Sequence, residues 1–152
     1  MQPFTAWVRK PGQAFSQALS EHPKKNTIDL TLALQQHKHY VEALEQVEGK
    51  VEYLPTQDLL ADATFVEDTA VILEDNVLLS PMKELSRQGE VPSSAMALKN
   101  YRDCITLNPP ATLDGGDVMN TPDAIFVGLS KRTNATAMQA LAQHTTKKII
   151  PV

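Results

Sequence analysis

The sequence has few cysteines, no excess of positive charge and no long apolar run, which are the features of proteins from oxidising compartments, of nucleic-acid-binding proteins and of membrane proteins. Its single cysteine, Cys104, cannot form an internal disulfide and is typical of a reducing compartment. A net charge of -4 argues against a nucleic-acid surface, which needs a basic patch. No apolar run approaches the roughly 18 to 20 residues that cross a bilayer, and the N-terminal stretch MQPFTAWVRKPGQAF lacks the apolar core of a signal peptide. We therefore expect a soluble α/β protein of the cytoplasm.

What is present alternates between strand-like and helix-like segments. The clearest helix is predicted over residues 30–47, where apolar residues recur at helical spacing, with Asp29 as its N-cap and Gly49 as the residue that ends it. Two shorter helices are predicted over 94–101 and 133–143. Strands are predicted over 4–10, 50–55, 69–73, 76–80, 103–108, 124–128 and 147–152. Hairpins that alternate with single helices indicate repeated ββαβ units rather than a regular parallel βαβ arrangement.

Two segments of the chain share one coarse pattern. In each, acidic residues precede a strand, a turn and a second strand, and an arginine follows. The residues are Glu67 and Asp68 before Arg87, and Asp114 and Asp117 before Arg132. A repeat with a period of about 50 residues is typical of a propeller-like array.

The carboxylates of the stretch ADATFVED need a cation. In an extended strand, Asp62 and Asp68 would share one face and Glu67 would point to the other. Converging carboxylates repel each other unless a cation lies between them. A guanidinium suits this role because it is planar and donates paired hydrogen bonds. A hard divalent metal ion is a second option, and a solvated turn or a set of internal ion pairs is a third.

The stretch LDGGDV and two arginines complete the candidate site. The two glycines allow a close backbone approach or a positive φ between two acids, although a β-turn capped by aspartate explains them equally. The stretch lacks the lysine and helix entry of a phosphate loop. Arg87 and Arg132 could each clamp a carboxylate, whereas a lone surface arginine is usually just solvated. Acids for one end of a ligand and arginines for the other describe a pocket for an arginine-like amino acid.

The motifs FVEDTAV, TLDGGDV and VGLSKRTN, in this order and spacing, resemble those of the dimethylarginine dimethylaminohydrolase family. The stretches VRKPGQAFSQALS, IDLTLALQQHKHYVEAL and SRQGE extend the resemblance over essentially the whole chain. The family belongs to the pentein, or amidinotransferase, superfamily, whose fold is a five-bladed α/β propeller. The resemblance implies a partial pentein propeller of about three ββαβ-type blades, as a single incomplete domain over residues 1–152.

The resemblance also implies a reaction and roles for two acids. The family hydrolyses methylated arginines to citrulline and a methylamine, through a covalent thiouronium intermediate on a cysteine. A histidine acts as general acid and base, and the chemistry needs no cofactor and no metal. By this resemblance Asp68 binds the substrate guanidinium. Asp114 orients the catalytic histidine and helps to hold the guanidinium.

The amino-acid end of the substrate is assigned in the same way. The resemblance implies that Asp62 and the main chain at Leu19 hold the α-amino group, with Glu67 supporting this acidic wall. Arg87 and Arg132 are implied to bind the α-carboxylate. The expected ligand is therefore a guanidino derivative of arginine.

The sequence departs from the family at two places. The family's Arg-Pro-Gly segment shortly before SR is replaced by SPMKELSR, although Arg87 is kept. The family's catalytic histidine and cysteine follow the segment PV at which this chain ends, and Cys104 and His144 do not occupy their positions. We therefore expect a truncated, substrate-binding N-terminal part that lacks turnover alone. Its open blade edges are expected to be covered by self-association or a complementing chain. Alternatives are a non-catalytic guanidinium-binding or assembly module and a fragment of an arginine deiminase-like hydrolase.

Overall fold

A computed structural model describes residues 4–152 of the chain, apart from the side chain of residue 26. The chain divides into two units, an N-terminal unit that ends at Val66 and a C-terminal unit from Glu67 to Val152. Within residues 4–152, no helix is long and apolar enough to cross a membrane. That the two units belong to one domain stays a prediction.

The N-terminal unit contains a parallel strand pair and the longest helix. Strand β1 (Thr5–Val8) pairs with β2 (Lys50–Tyr53), and helix α1 (Leu30–Gln46) connects them. Asp29 caps the start of α1, because its carboxylate accepts hydrogen bonds from the backbone of Thr31 and Leu32 at 2.8 and 3.2 Å. These elements and this cap confirm the sequence-based predictions.

The end of α1 differs from the prediction. The residue with positive φ is Glu48, at 63°, and not Gly49. The Glu48 amide donates to Glu45 at 3.1 Å and the Gly49 amide donates to Leu44 at 3.0 Å, which is the Schellman pattern. A Cβ on Gly49 would lie 2.5 Å from the Phe4 ring. Glycine is therefore required here for close approach, and the left-handed position falls one residue earlier.

The C-terminal unit consists of two ββαβ repeats. The first repeat comprises β3 (Ala70–Ile72), β4 (Asn76–Leu79), α2 (Val91–Leu98) and β5 (Asp103–Thr106). Strands β3 and β4 form an antiparallel hairpin, and β4 pairs with β5 in parallel. Helix α2 makes the crossover that a parallel pair needs.

The second repeat has the same topology. It comprises β6 (Val118–Asn120), β7 (Ala124–Val127), α3 (Ala135–Leu141) and β8 (Lys148–Pro151). Strand β7 pairs antiparallel with β6 and parallel with β8. Asn134 caps α3 by accepting a hydrogen bond from the Ala137 amide at 2.9 Å. The predicted ββαβ repeat is therefore confirmed in both copies.

One apolar core joins the two repeats. Leu78 of β4, Ile125 of β7 and Leu141 of α3 are each 0% exposed and belong to the same cluster of buried side chains. Burial of each such side chain contributes about 1.5–3 kcal/mol relative to exposure. The shared core fixes the loops that precede β3 and β6, and these loops carry the candidate site.

Each repeat opens with a short 3₁₀ helix that carries acids. The helix Val66–Thr69 precedes β3, and the helix Gly115–Asp117 precedes β6. Glu67 and Asp68 therefore lie on a helical turn, so the prediction that they alternate across an extended strand is wrong. Thr69 is 0% exposed at the end of the first turn, and its carbonyl accepts a hydrogen bond from the Ser80 amide at 3.0 Å, where the turn passes into the β3–β4 hairpin.

Candidate functional site

Arg87 lies between two carboxylates in a buried ion-pair network. Its Nη1 donates to Asp68 Oδ2 at 2.6 Å. Its Nε and Nη2 donate to the two oxygens of Glu90 at 3.0 and 2.8 Å. The side chains of Arg87 and Glu90 are only 6% and 1% exposed. The 3₁₀ helix Leu85–Glu90 thus presents its arginine inward, to the acidic turn before β3.

The pKa values of this network follow from its burial and its pairing. Burial opposes the charge of Arg87, but the hydrogen bonds to Glu90 and Asp68 outweigh it and raise the pKa of Arg87. Burial raises the pKa of Glu67, with a smaller contribution from the neighbouring Asp68 charge. Arg87 is therefore held as a permanent cation.

Asp114 begins the second acidic turn and is almost completely buried. Its Oδ1 accepts a hydrogen bond from the Gly116 amide at 3.1 Å, which caps the 3₁₀ helix. Its own amide donates to Thr133 Oγ1 at 3.0 Å. Its Oδ2 lies 2.9 Å from Arg132 Nε and 4.0 Å from Arg87 Nη1. Asp114 therefore lies between the two arginines that the sequence singled out.

The second oxygen of Asp114 makes an ion pair but no well-aligned hydrogen bond in the described part of the chain. Although Arg132 Nε is close enough for an ion pair, Oδ2 is buried without a hydrogen-bond partner of acceptable geometry among residues 4–152. Burial, followed by the hydrogen bond and charge of Asp68, raises the pKa of Asp114 to about 6, against the opposing effect of Arg132. Asp114 therefore holds its proton more strongly than an isolated aspartate would.

The two glycines of LDGGDV permit this approach of the two turns. A Cβ on Gly115 would overlap the carbonyl oxygen of Glu67, and a Cβ on Gly116 would overlap Asp68 Oδ1. Neither glycine has a positive φ. Of the two explanations that the sequence left open, close approach of the backbone is therefore the observed one.

Arg132 is held by a hydroxyl network but remains accessible. Its amide donates to Ser130 Oγ at 2.9 Å, and Ser130 and Thr133 both donate to Asp117 Oδ2 at 2.7 Å. Its Nη2 lies 3.7 Å from Asp117 Oδ1. The Arg132 side chain is 51% exposed, so it can meet a ligand at the surface of the cluster.

The space and charge around the cluster constrain what it can bind. The cavity lined by Arg87, Asp114 and Arg132 has a volume of about 10 Å³, room for a single water. A larger ligand must approach from the exposed side, where Asp68 is 16% and Arg132 51% exposed. No group of three or more His, Cys, Asp or Glu side chains in the described part of the chain is arranged to hold a metal ion.

The N-terminal unit places two of the predicted residues together. The Leu19 amide donates to Asp62 at 3.0 Å to Oδ1 and 3.3 Å to Oδ2. Asp62 is 5% exposed. The next residue, Ala63, accepts a 2.6 Å hydrogen bond from Arg9 Nη1, and Thr64 donates to the Arg9 carbonyl at 2.8 Å. Buried Arg9 thus fixes the segment that carries Asp62.

The structure brings four of the predicted residues into direct ionic contact and adds others. The predicted residues in the cluster are Asp68, Arg87, Asp114 and Arg132. Leu19 and Asp62 contact each other, and Glu67 lies beside Asp68. The roles implied for these seven residues stay predictions. Sequence reasoning gave no role to Glu90 or Arg9, and the only signal for Glu90 was its position three residues after Arg87.

Cys104 lies outside the acidic turns. It is on β5, and its Sγ lies 3.9 Å from the Ala95 carbonyl of α2. Burial, followed by the charge of Asp103, raises the pKa of the thiol. A raised pKa leaves less thiolate, so Cys104 is a poor nucleophile in this position.

The raised pKa of Asp114 predicts a pH-dependent stability. The ordinary value is 3.8 and the folded value about 6, so between these pH values the folded state holds a proton that the unfolded chain has lost. The free energy of unfolding should therefore fall as the pH rises from about 4 to 6. Urea unfolding should show that the free energy of unfolding of Asp114→Asn falls less over this pH range than that of the wild type. The difference between the two falls should be on the order of 1–3 kcal/mol.

The matched control for this experiment is Asp123→Asn, because Asp123 is an exposed aspartate of the same unit. This variant should keep the wild-type pH dependence. Equal slopes for Asp114→Asn and the wild type would show that Asp114 does not titrate between pH 4 and 6.

Comparison with solved structures defines the class of protein. A mutant dimethylarginine dimethylaminohydrolase from Pseudomonas aeruginosa, complexed with citrulline, matches 97% of this chain and 60% of its own, with a TM-score of 0.89 at 22% identity. The N-terminal domain of ArgZ, covalently bound to a reaction intermediate, matches 97% of this chain and 56% of its own, with a TM-score of 0.87 at 16% identity. The fold is therefore an α/β fold of the pentein type, and its open sheets are those of a partial propeller.

Sequence comparison gives the family. The family model described as N,N dimethylarginine dimethylhydrolase, eukaryotic, matches residues 9–152. The N(G),N(G)-dimethylarginine dimethylaminohydrolase of Streptomyces coelicolor is 34% identical over 137 residues, which cover 90% of this chain. The chain belongs to the dimethylarginine dimethylaminohydrolase family, which confirms the resemblance of the motifs. It spans about half the length of the curated relatives that it matches, at 53% for this relative and 43% for the Pseudomonas aeruginosa enzyme.

Proposed function

We propose that this chain is a substrate-binding part of a cytoplasmic hydrolase that converts N-ω-methylated arginine to citrulline and a methylamine. Asp68 and Asp114 receive the guanidinium, and Arg132 binds the α-carboxylate. Asp62, with the main chain at Leu19 and the support of Glu67, holds the α-amino group. These roles follow the family resemblance, and the contacts of the cluster support them.

The observation that carries this proposal is Asp114 Oδ2, a buried oxygen that makes an ion pair with Arg132 at 2.9 Å but no well-aligned hydrogen bond among the described residues. A buried acceptor without a hydrogen bond costs about 1–3 kcal/mol, so a site that contains one is suited to an incoming donor. The guanidinium of an arginine derivative supplies donors together with positive charge. It can replace the proton that Asp114 otherwise holds more strongly than an isolated aspartate does.

The charge balance of the cluster also favours a cationic ligand. Four carboxylates, of Asp68, Glu90, Asp114 and Asp117, form ion pairs with two arginines, Arg87 and Arg132, so acids outnumber arginines in this set of side chains. A guanidinium or a proton reduces this excess. Of the two arginines proposed for the α-carboxylate of the ligand, the exposed Arg132 is the main partner. Arg87 points inward to Asp68 and contributes less.

Asp114 has a second proposed role in the chemistry. A carboxylate that is buried and fixed by a backbone amide can orient a histidine that acts as general acid and base. The histidine and the nucleophile are proposed to lie outside this chain, because Cys104 has a raised pKa and a partner on α2. The chain alone is therefore proposed to bind a guanidino ligand without turnover.

The proposal is tested by calorimetric titration of the chain with dimethylarginine. The wild type should bind it, and Asp68→Asn should weaken binding by at least about ten-fold, because the charge that faces the guanidinium is lost. Asp75→Asn removes an equal charge from the exposed turn between β3 and β4 and should leave binding unchanged. The same samples should release no citrulline.

A titration without heat for the wild type would contradict guanidinium binding. The chain would then be an assembly module, in which the open sheets pair with a second copy or with a complementing chain. Light scattering would reveal such an assembly. Citrulline release that Cys104→Ser abolishes would instead contradict the absence of turnover.

A further inference from the structure

Another cavity, partly open and with a volume of about 640 Å³, lies in the C-terminal unit where β4 and β5 end. Leu79 and Thr106, the last residues of these two parallel strands, are partners in the sheet, and both line the cavity. The loops that follow the two strands and the start of α2 complete its wall. In open α/β sheets, ligands bind outside the carboxyl ends of parallel strands. A volume of about 300–1,000 Å³ is typical of small-molecule sites.

We propose that this cavity binds a small apolar carboxylate, whose hydrocarbon part lies inside the cavity and whose carboxylate pairs with Lys83. The four ionic side chains of the acidic cluster do not line it, and it shares only Met82 and Lys83 with the small cavity beside that cluster. The proposed ligand differs from a guanidino substrate, so neither proposal depends on the other.

The wall of the cavity is apolar and stiff. Four of the chain's ten prolines line it, namely Pro81, Pro92, Pro109 and Pro110. Because the ring of proline fixes φ, loops that contain these residues cannot readily close to fill the space. Transfer of hydrocarbon from water to such a wall is favourable in proportion to the apolar area removed from water. The lining therefore selects an apolar ligand that fits a preformed space.

The charge of the wall indicates the sign of the ligand. Among the described residues that line the cavity, Lys83 alone is charged, and none is a carboxylate. Its Nζ donates a hydrogen bond to the Lys131 carbonyl at 2.8 Å. An ammonium group has three donors, so Lys83 can also donate to a ligand. An anionic group at this position meets attraction from Lys83 and no repulsion from an acid in the wall.

The loop that carries Lys83 is fixed by its neighbours and offers a second donor. Gln88 Nε2 donates to the Met82 carbonyl at 3.0 Å, and the Met82 amide donates to the Ser80 carbonyl at 2.9 Å. Ser80 lines the cavity, and its buried hydroxyl has no hydrogen-bond partner within residues 4–152. Rotation about χ1 moves this hydroxyl between staggered positions, so a ligand oxygen beside this wall can become its acceptor.

The experiment titrates the wild type with octanoate and with octanamide, a neutral molecule of nearly the same shape, by calorimetry. Octanoate should bind more tightly than octanamide. Butanoate should bind more weakly than octanoate by more than about ten-fold, because each buried methylene contributes a factor of about four. Lys83→Gln should lower the affinity for octanoate about two- to five-fold, as for an exposed ion pair, and leave that for octanamide unchanged.

A second variant blocks the cavity itself. Ala95 of α2 lines it, so the larger side chain of Ala95→Leu should lower the affinity for octanoate at least about ten-fold by filling part of the space. Ala135→Leu makes the same change at an exposed position of α3. Lys99→Gln removes an exposed lysine that does not line the cavity. Both controls should bind octanoate as the wild type does.

A wild type that binds neither octanoate nor octanamide would overturn the site, and a dimer in light scattering would then indicate that a second copy covers the cavity. A folded Ala95→Leu variant with wild-type affinity would overturn it too, because binding would lie elsewhere. An octanoate-to-octanamide affinity ratio that Lys83→Gln leaves unchanged would overturn the pairing of the carboxylate with Lys83. If circular dichroism shows that Ala95→Leu does not fold, the exposed Lys83→Gln change still decides through this ratio.

Discussion

Replacing Arg87 with methionine is expected to lower the free energy of unfolding by about 3–5 kcal/mol, because one partner of a buried ion-pair network is lost. Methionine fills a similar volume but leaves the carboxylate of Glu90, 1% exposed, without its two hydrogen bonds. Asp68 loses a 2.6 Å contact as well. A domain is typically stable by only about 5–15 kcal/mol, so the variant should be largely unfolded in mild urea.

The matched control is Arg102→Met. Arg102 is exposed, and its Nε donates to the backbone carbonyl of Glu74 at 3.0 Å. Its loss should change stability by no more than about 0.5 kcal/mol, as is usual for the surface. Urea midpoints followed by circular dichroism compare the two variants. Similar midpoints for Arg87→Met and Arg102→Met would show that Glu90 is not charged in the folded state.

A single methyl group on Gly115 is expected to disturb both acidic turns. The Cβ of Gly115→Ala would overlap the Glu67 carbonyl oxygen and lie 2.9 Å from that of Ala70. Both neighbours are backbone atoms, so the clash cannot be relieved by rotating a side chain. We expect destabilisation of about 1–3 kcal/mol, as for overpacking, together with weaker dimethylarginine binding because Asp68 is displaced.

Gly128→Ala provides the comparison for this change. Its Cβ would lie 3.5 Å from the nearest atom, the Asp117 carbonyl oxygen, which is an ordinary contact. Because alanine restricts the unfolded chain, this variant should be neutral or more stable by about 0.4–1 kcal/mol. Thermal unfolding and calorimetric titration of both variants check the prediction. Equal stability and equal binding of Gly115→Ala and Gly128→Ala would mean that the two acidic turns can move apart without a loss of folding free energy.

The two ββαβ repeats could be predicted from the sequence because they depend on local patterns of residues. Alternating hairpins and helices predicted the ββαβ order, and the acidic residues before each hairpin marked the two turns that meet. The helix cap at Asp29 followed from residue type alone. Each of these features needs only a few neighbouring residues to define it.

Features that depend on residues distant in the sequence could not be predicted from such local patterns. The sequence treats Glu67 and Asp68 as extended and begins a strand at residue 69, whereas Val66–Thr69 forms a 3₁₀ turn that no local pattern marks. The sequence predicts the end of α1 at Gly49, because nothing local shows that this glycine is instead needed for the close approach of the Phe4 ring. The burial of Arg87 is not predictable from the sequence either, because a solvated arginine and a buried one can have the same local sequence.

The two ββαβ repeats also have nearly equal connectivity, which bears on how the C-terminal unit folds. The parallel pairing of β4 with β5 joins Asn76 to Asp103, 27 positions apart (103 minus 76). That of β7 with β8 joins Ala124 to Lys148, 24 positions apart (148 minus 124). Loop-closure entropy depends on the logarithm of this length, so the two closures differ by only about 0.1 kcal/mol. Chain entropy therefore does not favour one repeat over the other, and neither repeat can complete the core that the two share without its partner.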